Sequence, residues 1–174
     1  PSGNFGNICA GIIEKQMGLP IDHFVASTNI NDTIPEFLKS GSYTPKKSIQ
    51  TISNAMDVGD PSNFIRIQRI FNNDFFKLKK VLSGFGYNDK LTEKAMKEIF
   101  KINGYIADPH GAIGFLGLKE YMAAQKDEET YQGIFLETAH PIKFKNTVEN
   151  ILKTRIEIPT RLEGILNLKK ISSP

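Results

Sequence analysis

The chain has 174 residues, 40% hydrophobic and 24% charged, with a formal net charge of +3: ordinary globular make-up, long enough to bury a sizeable core. So small a charge, with Lys77, Lys79 and Lys80 as the densest basic cluster on a predicted helix face, argues against nucleic acid. A single cysteine, Cys9, excludes an internal disulfide and a cysteine-rich metal site and fits a reducing compartment. No apolar run approaches the roughly 20 residues that span a bilayer and no leader pattern is present, so a soluble cytoplasmic protein is expected, with no membrane partner.

The first predicted element is a tight turn, Pro1-Ser2-Gly3-Asn4-Phe5-Gly6-Asn7, feeding an amphipathic helix that begins near Asn7 and stops at Gly18-Leu19-Pro20. Its glycines permit close backbone approach, and the unpaired N–H groups and dipole of the helix start make an anion cup. Neither Gly-Lys-Ser/Thr nor Gly-x-Gly-x-x-Gly is present, and a plain glycine turn before a helix is the competing reading. Phe24-Val25-Ala26-Ser27-Thr28 reads as a short buried strand, and the strand–helix–strand order implies an α/β fold with a parallel sheet. Thr28-Asn29-Ile30-Asn31-Asp32 lies at its carboxyl end, where such folds place ligand loops. Asn31 or Asp32 serves either there or as the cap of a helix through Pro35-Glu36-Phe37-Leu38, which stops at Gly41.

Residues 42–60 lack a helical period and read as a long functional loop. It is either a pocket lining or a connection in which Asn54 and Asp57 satisfy backbone groups. From Ser62 to Leu82 the residues Phe64, Ile67, Ile70, Phe71, Phe75, Leu78 and Leu82 recur by threes and fours, predicting one long amphipathic helix ended by Ser83-Gly84-Phe85-Gly86. Asn63 and Arg66 lie in its first turns; Arg66 is either a surface residue or a guanidinium for a substrate phosphate. A second helix over residues 92–102 ends at Asn103-Gly104, and the pair, residues 62–103, reads as a helical insertion in the α/β alternation. Tyr105-Ile106-Ala107 and residues 133–137 are expected as strands, separated by a helix that follows Asp108-Pro109-His110-Gly111. Pro141 suits the first turn of a helix holding Phe144, Val148, Ile151 and Leu152, and residues 154–174 form an irregular tail. His23, His110 and His140 have no serine or cysteine partner at a recognisable spacing and read as loop anchors, and no histidine pattern points to a metal.

The run Ser2-Gly3-Asn4-Phe5-Gly6-Asn7 resembles the loop that holds the phosphate of pyridoxal 5'-phosphate (PLP) in fold type II, tryptophan-synthase-like enzymes. With its central aromatic it is similar to the threonine synthase family. Thr28-Asn29-Ile30-Asn31-Asp32, Ser53-Asn54-Ala55-Met56-Asp57-Val58, Ser62-Asn63-Phe64, Asp108-Pro109-His110 and Thr138-Ala139-His140-Pro141-Ile142-Lys143-Phe144 follow in the family's order, up to about residue 150.

The resemblance implies part of a fold type II large domain, a parallel sheet flanked by helices. Residues 1–153 would be the carboxyl-terminal part of the PLP-binding α/β domain and 154–174 a tail. It implies PLP as cofactor, with Gly3, Asn4, Phe5, Gly6 and Asn7 as the phosphate cup, the side chains of Asn4 and Asn7 adding donors, and Thr138 beside the pyridine nitrogen. A neutral hydroxyl there suits elimination and replacement chemistry; without the resemblance Thr138 reads as a helix cap. Asn54, Asn63 and Arg66 are the implied substrate contacts. The implied reaction converts O-phospho-L-homoserine and water to L-threonine and phosphate; the alternatives are a phospho-lyase that stops at a keto acid and a non-catalytic phosphate-binding module. The family's aldimine lysine lies upstream of the loop, so the chain is expected to be a carboxyl-terminal fragment, inactive alone, whose partner is the missing N-terminal part of the same enzyme. Gly111, where the family often has threonine, and Glu137, where a small residue is common, depart from the pattern.

Overall fold

The computed structural model describes residues 1–125, 131–166 and 168. Two strands, β1 (Phe24–Thr28) and β2 (Leu82–Gly86), pair in parallel from Phe24 opposite Leu82 to Thr28 opposite Gly86. Helix α1 (Gly6–Gln16) precedes β1, and α2 (Thr33–Ser40), α3 (Phe64–Ile70) and α4 (Phe75–Val81) fill the crossover between the strands. Helices α5 (Asp89–Asn103), α6 (Pro109–Ala123), α7 (Lys145–Leu152) and α8 (Thr160–Leu166) follow, with α6 packed against β1. The expected stops hold: Gly41 and Gly104 close α2 and α5 with φ of 77° and 64°, a conformation open to glycine without a Cβ clash.

The core divides along this order. Ile8 and Ile12 of α1, Ile34 and Phe37 of α2, Phe64 and Ile67 of α3, Leu78 of α4 and Leu82 of β2 form one cluster, which also takes in Cys9. Phe37 sits edge-on to Phe64 and Phe75, at 5.2 and 5.4 Å. A second cluster joins α5, α6 and α7 through Met96, Ile99, Ala112 and Val148.

Three expectations are corrected. The single helix over 62–82 is two: Asn72 and Asn73 take left-handed φ of 54° and 59°, and Asp74 Oδ1 accepts the Lys77 N–H at 3.0 Å to cap α4. Asparagine tolerates that conformation and aspartate is a strong cap, so local chemistry breaks a periodicity that runs straight through. Residues 82–86, expected as a helix end, are strand β2; a Cβ on Gly84 would lie 3.0 Å from Pro35 Cα, so the small residues that hide its strand character are what let α2 pack on it. The stretch 62–103 therefore holds three helices and a strand. Residues 105–107 and 133–137 form no strand, because no described segment supplies a ladder partner; Ile134 is left 83% exposed.

The expected tail contains α8, while its residues 167 and 169–174 lie outside the described residues. Among the described residues no helix is long and apolar enough to cross a membrane. Removing the α4 cap with Asp74→Ala is expected to cost about 1 kcal/mol of stability in a urea titration; a change within error would mean the Asn72-Asn73 turn alone sets the break.

Candidate functional site

The loop before α1 is pinned rather than free. Ser2 N–H donates to Ser27 O at the end of β1 (2.9 Å), Ser2 Oγ donates to Asn7 Oδ1 (2.7 Å), and Asn7 Nδ2 donates to the Pro1 carbonyl (2.7 Å). Phe5, 2% exposed, turns the chain into the helix at φ 60° and packs on Phe64. The helix has no side-chain cap. As a result, among the described residues no acceptor takes the backbone N–H of Gly3, Asn4, Phe5, Gly6 or Asn7, five successive donors at the positive end of a helix dipole. The side-chain donors of Asn4 and Asn7 are engaged inside the protein, so the donors left open on the loop are backbone N–H groups.

Asn4 ties the loop to the start of α3. Its Nδ2 donates to Ser62 Oγ (2.9 Å), its Oδ1 accepts the Ser62 N–H (2.6 Å), and its carbonyl accepts Asn63 Nδ2 (3.0 Å). Asn63 Oδ1 in turn accepts from exposed Arg66. The expected residues Asn63 and Arg66 thus stand at the rim of the cup, and Ser62 joins them as a loop anchor. Asn54 opens a 3-10 turn, Asn54–Met56, with its side chain exposed; the backbone of that turn backs Gly3, where an added Cβ would lie 2.8 Å from Met56 Cα and 2.9 Å from Ala55 O.

Behind the turn lies a network centred on Asn29, fully buried. Asn29 Nδ2 donates to Thr51 Oγ1 (2.9 Å) and Asp57 Oδ1 (2.8 Å), and its Oδ1 accepts Asn31 N–H and Nδ2, both at 2.9 Å. Asp57 Oδ2 accepts the Thr51 N–H (3.1 Å), the backbone-satisfying role among the two readings of that loop. Asp32 occupies the N-cap position of α2 without a capping bond; its carboxylate meets Lys46 at 3.2 Å. The signal for Asn29 was present: a polar residue at the carboxyl end of a buried strand.

Thr138 is exposed, in irregular chain rather than at a strand end. The chain three residues before it reaches the start of the loop: a Cβ on Gly114 of α6 would meet Pro1 Cδ at 2.7 Å and Phe135 Cβ at 3.6 Å, so Pro1, α6 and Phe135 converge. The histidines are anchors. His140 Nδ1 accepts the Ile142 N–H (3.2 Å), His23 Nε2 meets Ser83 Oγ (2.9 Å), and buried His110 bonds Asp108 at 2.6 Å.

With this geometry in view, the comparisons with known proteins converge. The family described as "Threonine synthase, C-terminal" matches residues 111–173. The chain is 46% identical over 99% of its length to threonine synthase of Buchnera aphidicola subsp. Acyrthosiphon pisum, and 40% identical over 99% to that of Escherichia coli. It spans 38% and 39% of those relatives. The crystal structure of the Escherichia coli enzyme superposes with a TM-score of 0.87 at 40% identity, covering 97% of this chain and 38% of that one. A PLP-bound threonine synthase from Brucella melitensis gives 0.85 at 29% identity, covering 98% and 41%. Its α/β arrangement is theirs, and over a little more than a third of those relatives' length the chain belongs to the threonine synthase family.

Proposed function

We propose that the protein is a cytoplasmic, PLP-dependent threonine synthase that converts O-phospho-L-homoserine and water to L-threonine and phosphate, and that this chain supplies the cofactor's phosphate cup. The observation that carries the reading is the row of five N–H groups, residues 3–7, that find no acceptor among the described residues, on a pinned loop at the start of α1. A dianionic phosphate monoester is what such donors and a helix dipole favour. Bound there, the cofactor would supply the electron sink for replacing the γ-phosphate of the substrate.

The chain's own residues divide the remaining work. Asn4 holds the cup to α3, and Asn63 and Arg66 stand beside it for a second phosphate, that of the substrate. Asn54 contributes from the turn behind Gly3. Thr138 offers a neutral hydroxyl to the pyridine nitrogen. The covalent anchor for the cofactor is assigned to the N-terminal part of the enzyme, outside this chain.

Product analysis of the full-length protein with O-phospho-L-homoserine tests the reading. Equimolar threonine and phosphate are expected; phosphate with a keto acid would make it a phospho-lyase, and no phosphate release a binding module. Thr138→Val is expected to lower kcat roughly 10- to 100-fold, the worth of one strong hydrogen bond. An unchanged kcat in steady-state kinetics would remove Thr138 from the site.

A further inference from the structure

Where α6 begins, three ionisable side chains meet away from solvent. Asp108, 0% exposed, accepts the His110 N–H through Oδ1 at 2.8 Å and meets His110 Nδ1 through the same oxygen at 2.6 Å. Asp108 Oδ2, His110 Nε2 and both carboxyl oxygens of Glu137 are buried with no partner among the described residues when both acids are ionised. Two adjacent buried carboxyl groups do not both ionise: a proton on one turns the repulsion into a hydrogen bond and satisfies Asp108 Oδ2. Among the described residues no group of three or more His, Cys, Asp or Glu side chains is placed to hold a metal instead.

The proton belongs on Glu137. Burial raises the Asp108 carboxyl, but the side-chain and backbone bonds from His110 outweigh it and leave Asp108 below the usual carboxylate range. Glu137 lacks those donors; burial, then its bond to Asp108 and the charge there, push its carboxyl up to about 8. Among the described residues the Tyr105 phenol also faces the pair and is raised, first by burial. Packing fits Glu137 to one place: a Cβ on Gly111 would lie 1.9 Å from its Oε1 and 2.2 Å from its Cδ. The carboxyl therefore occupies the volume that a side chain at 111 would need.

We propose that Glu137 is a positioning residue for the cofactor site: its carboxyl, carrying the proton, donates to Asp108 over the bare face of Gly111 and so holds the next residue, Thr138, in place. The inference rests on the reading of Thr138 given above. In the full-length protein without PLP, the infrared carbonyl band of a protonated carboxyl is expected at neutral pH and absent from Glu137→Gln. A carboxyl raised above its ordinary value of 4.5 contributes stability that is complete below that pH and lost as pH rises through about 8. The thermal midpoint should accordingly fall between about pH 4.5 and about pH 8 in the parent and level off above that, and this fall should be much smaller in Glu137→Gln. Gly111→Ala should lower the midpoint, and Gly111→Ala combined with Glu137→Ala should recover part of the loss.

Glu137→Ala should weaken PLP binding about tenfold, while Glu137→Gln, which keeps the donor, should stay near the parent. A missing band, an unchanged pH profile in Glu137→Gln, additive effects at 111 and 137, or unaltered PLP affinity in Glu137→Ala would each overturn the proposal. An inert Thr138→Val beside a confirmed band and coupling would instead count against the role of Thr138, so the two failures are distinguishable.

Discussion

Replacing Asn29 with leucine is expected to cost about 3 kcal/mol of stability, although the two side chains are of similar size. Asn29 is fully buried and uses both ends of its amide: Nδ2 serves Thr51 and Asp57, and Oδ1 serves the N–H and Nδ2 of Asn31. Leucine fills the space but leaves the Asn31 N–H without an acceptor in the interior and takes a donor from the Asp57 carboxylate, and each unmet buried group costs roughly 1–3 kcal/mol. The damage spreads because Thr51, Ser53 and Asp57 are the points at which the long loop is fastened to the end of β1. Releasing them frees the Asn54–Met56 turn that backs Gly3, so weaker PLP binding should accompany the lost stability. Urea denaturation of the full-length protein, followed by circular dichroism, measures the effect. A loss of under about 1 kcal/mol would mean that the loop is held by something other than this amide. Asn29→Asp should be at least as harmful, since it keeps the shape but puts a second acceptor against Asp57.

Gly3→Val should weaken PLP binding roughly 10- to 100-fold. The Cβ it adds would stand 2.8 Å from Met56 Cα and 2.9 Å from Ala55 O, backbone atoms that cannot turn aside as a flexible side chain could. The loop cannot move instead without breaking the Ser2–Ser27 bond on one side or the Asn4 bonds to Ser62 and Asn63 on the other. Misaiming one or two N–H groups that serve a charged phosphate removes about 1.5–3 kcal/mol, which is roughly 10- to 100-fold in affinity. Fluorescence titration of the full-length protein with PLP provides the measurement. An unchanged dissociation constant in a folded Gly3→Val protein would show that the phosphate is held elsewhere.

Much of the local architecture was legible before any coordinates. Strand β1, the stop of α2 at Gly41 and the stop of α5 at Gly104 follow from short-range chemistry: β-branched and aromatic runs, caps, and glycines able to adopt positive φ. The break at Asn72-Asn73-Asp74 was equally local, yet an unbroken apolar period obscured it, because both halves bury the same face in one core. Strand β2 was hidden for a different reason: Gly84 and Gly86 are bare where α2 and its N-cap Asp32 approach, a demand set by a neighbour distant in sequence. Residues 105–107 and 133–137 carry strand-like sequence without strand pairing, since an extended segment needs a partner for its ladder.

The same division runs through the candidate site. Sequence alone determined the type of loop, its order relative to the other motifs and the family that spells it this way, because those depend on residue identity and spacing. Only the tertiary structure decided that Asn4 and Asn7 spend their amides on anchoring while five backbone N–H groups find no acceptor among the described residues. It likewise decided that Glu137 lies over Gly111 beside Asp108. Both outcomes turn on which groups are left without a partner after the chain has closed on itself, and that balance is set by contacts between segments far apart in the sequence.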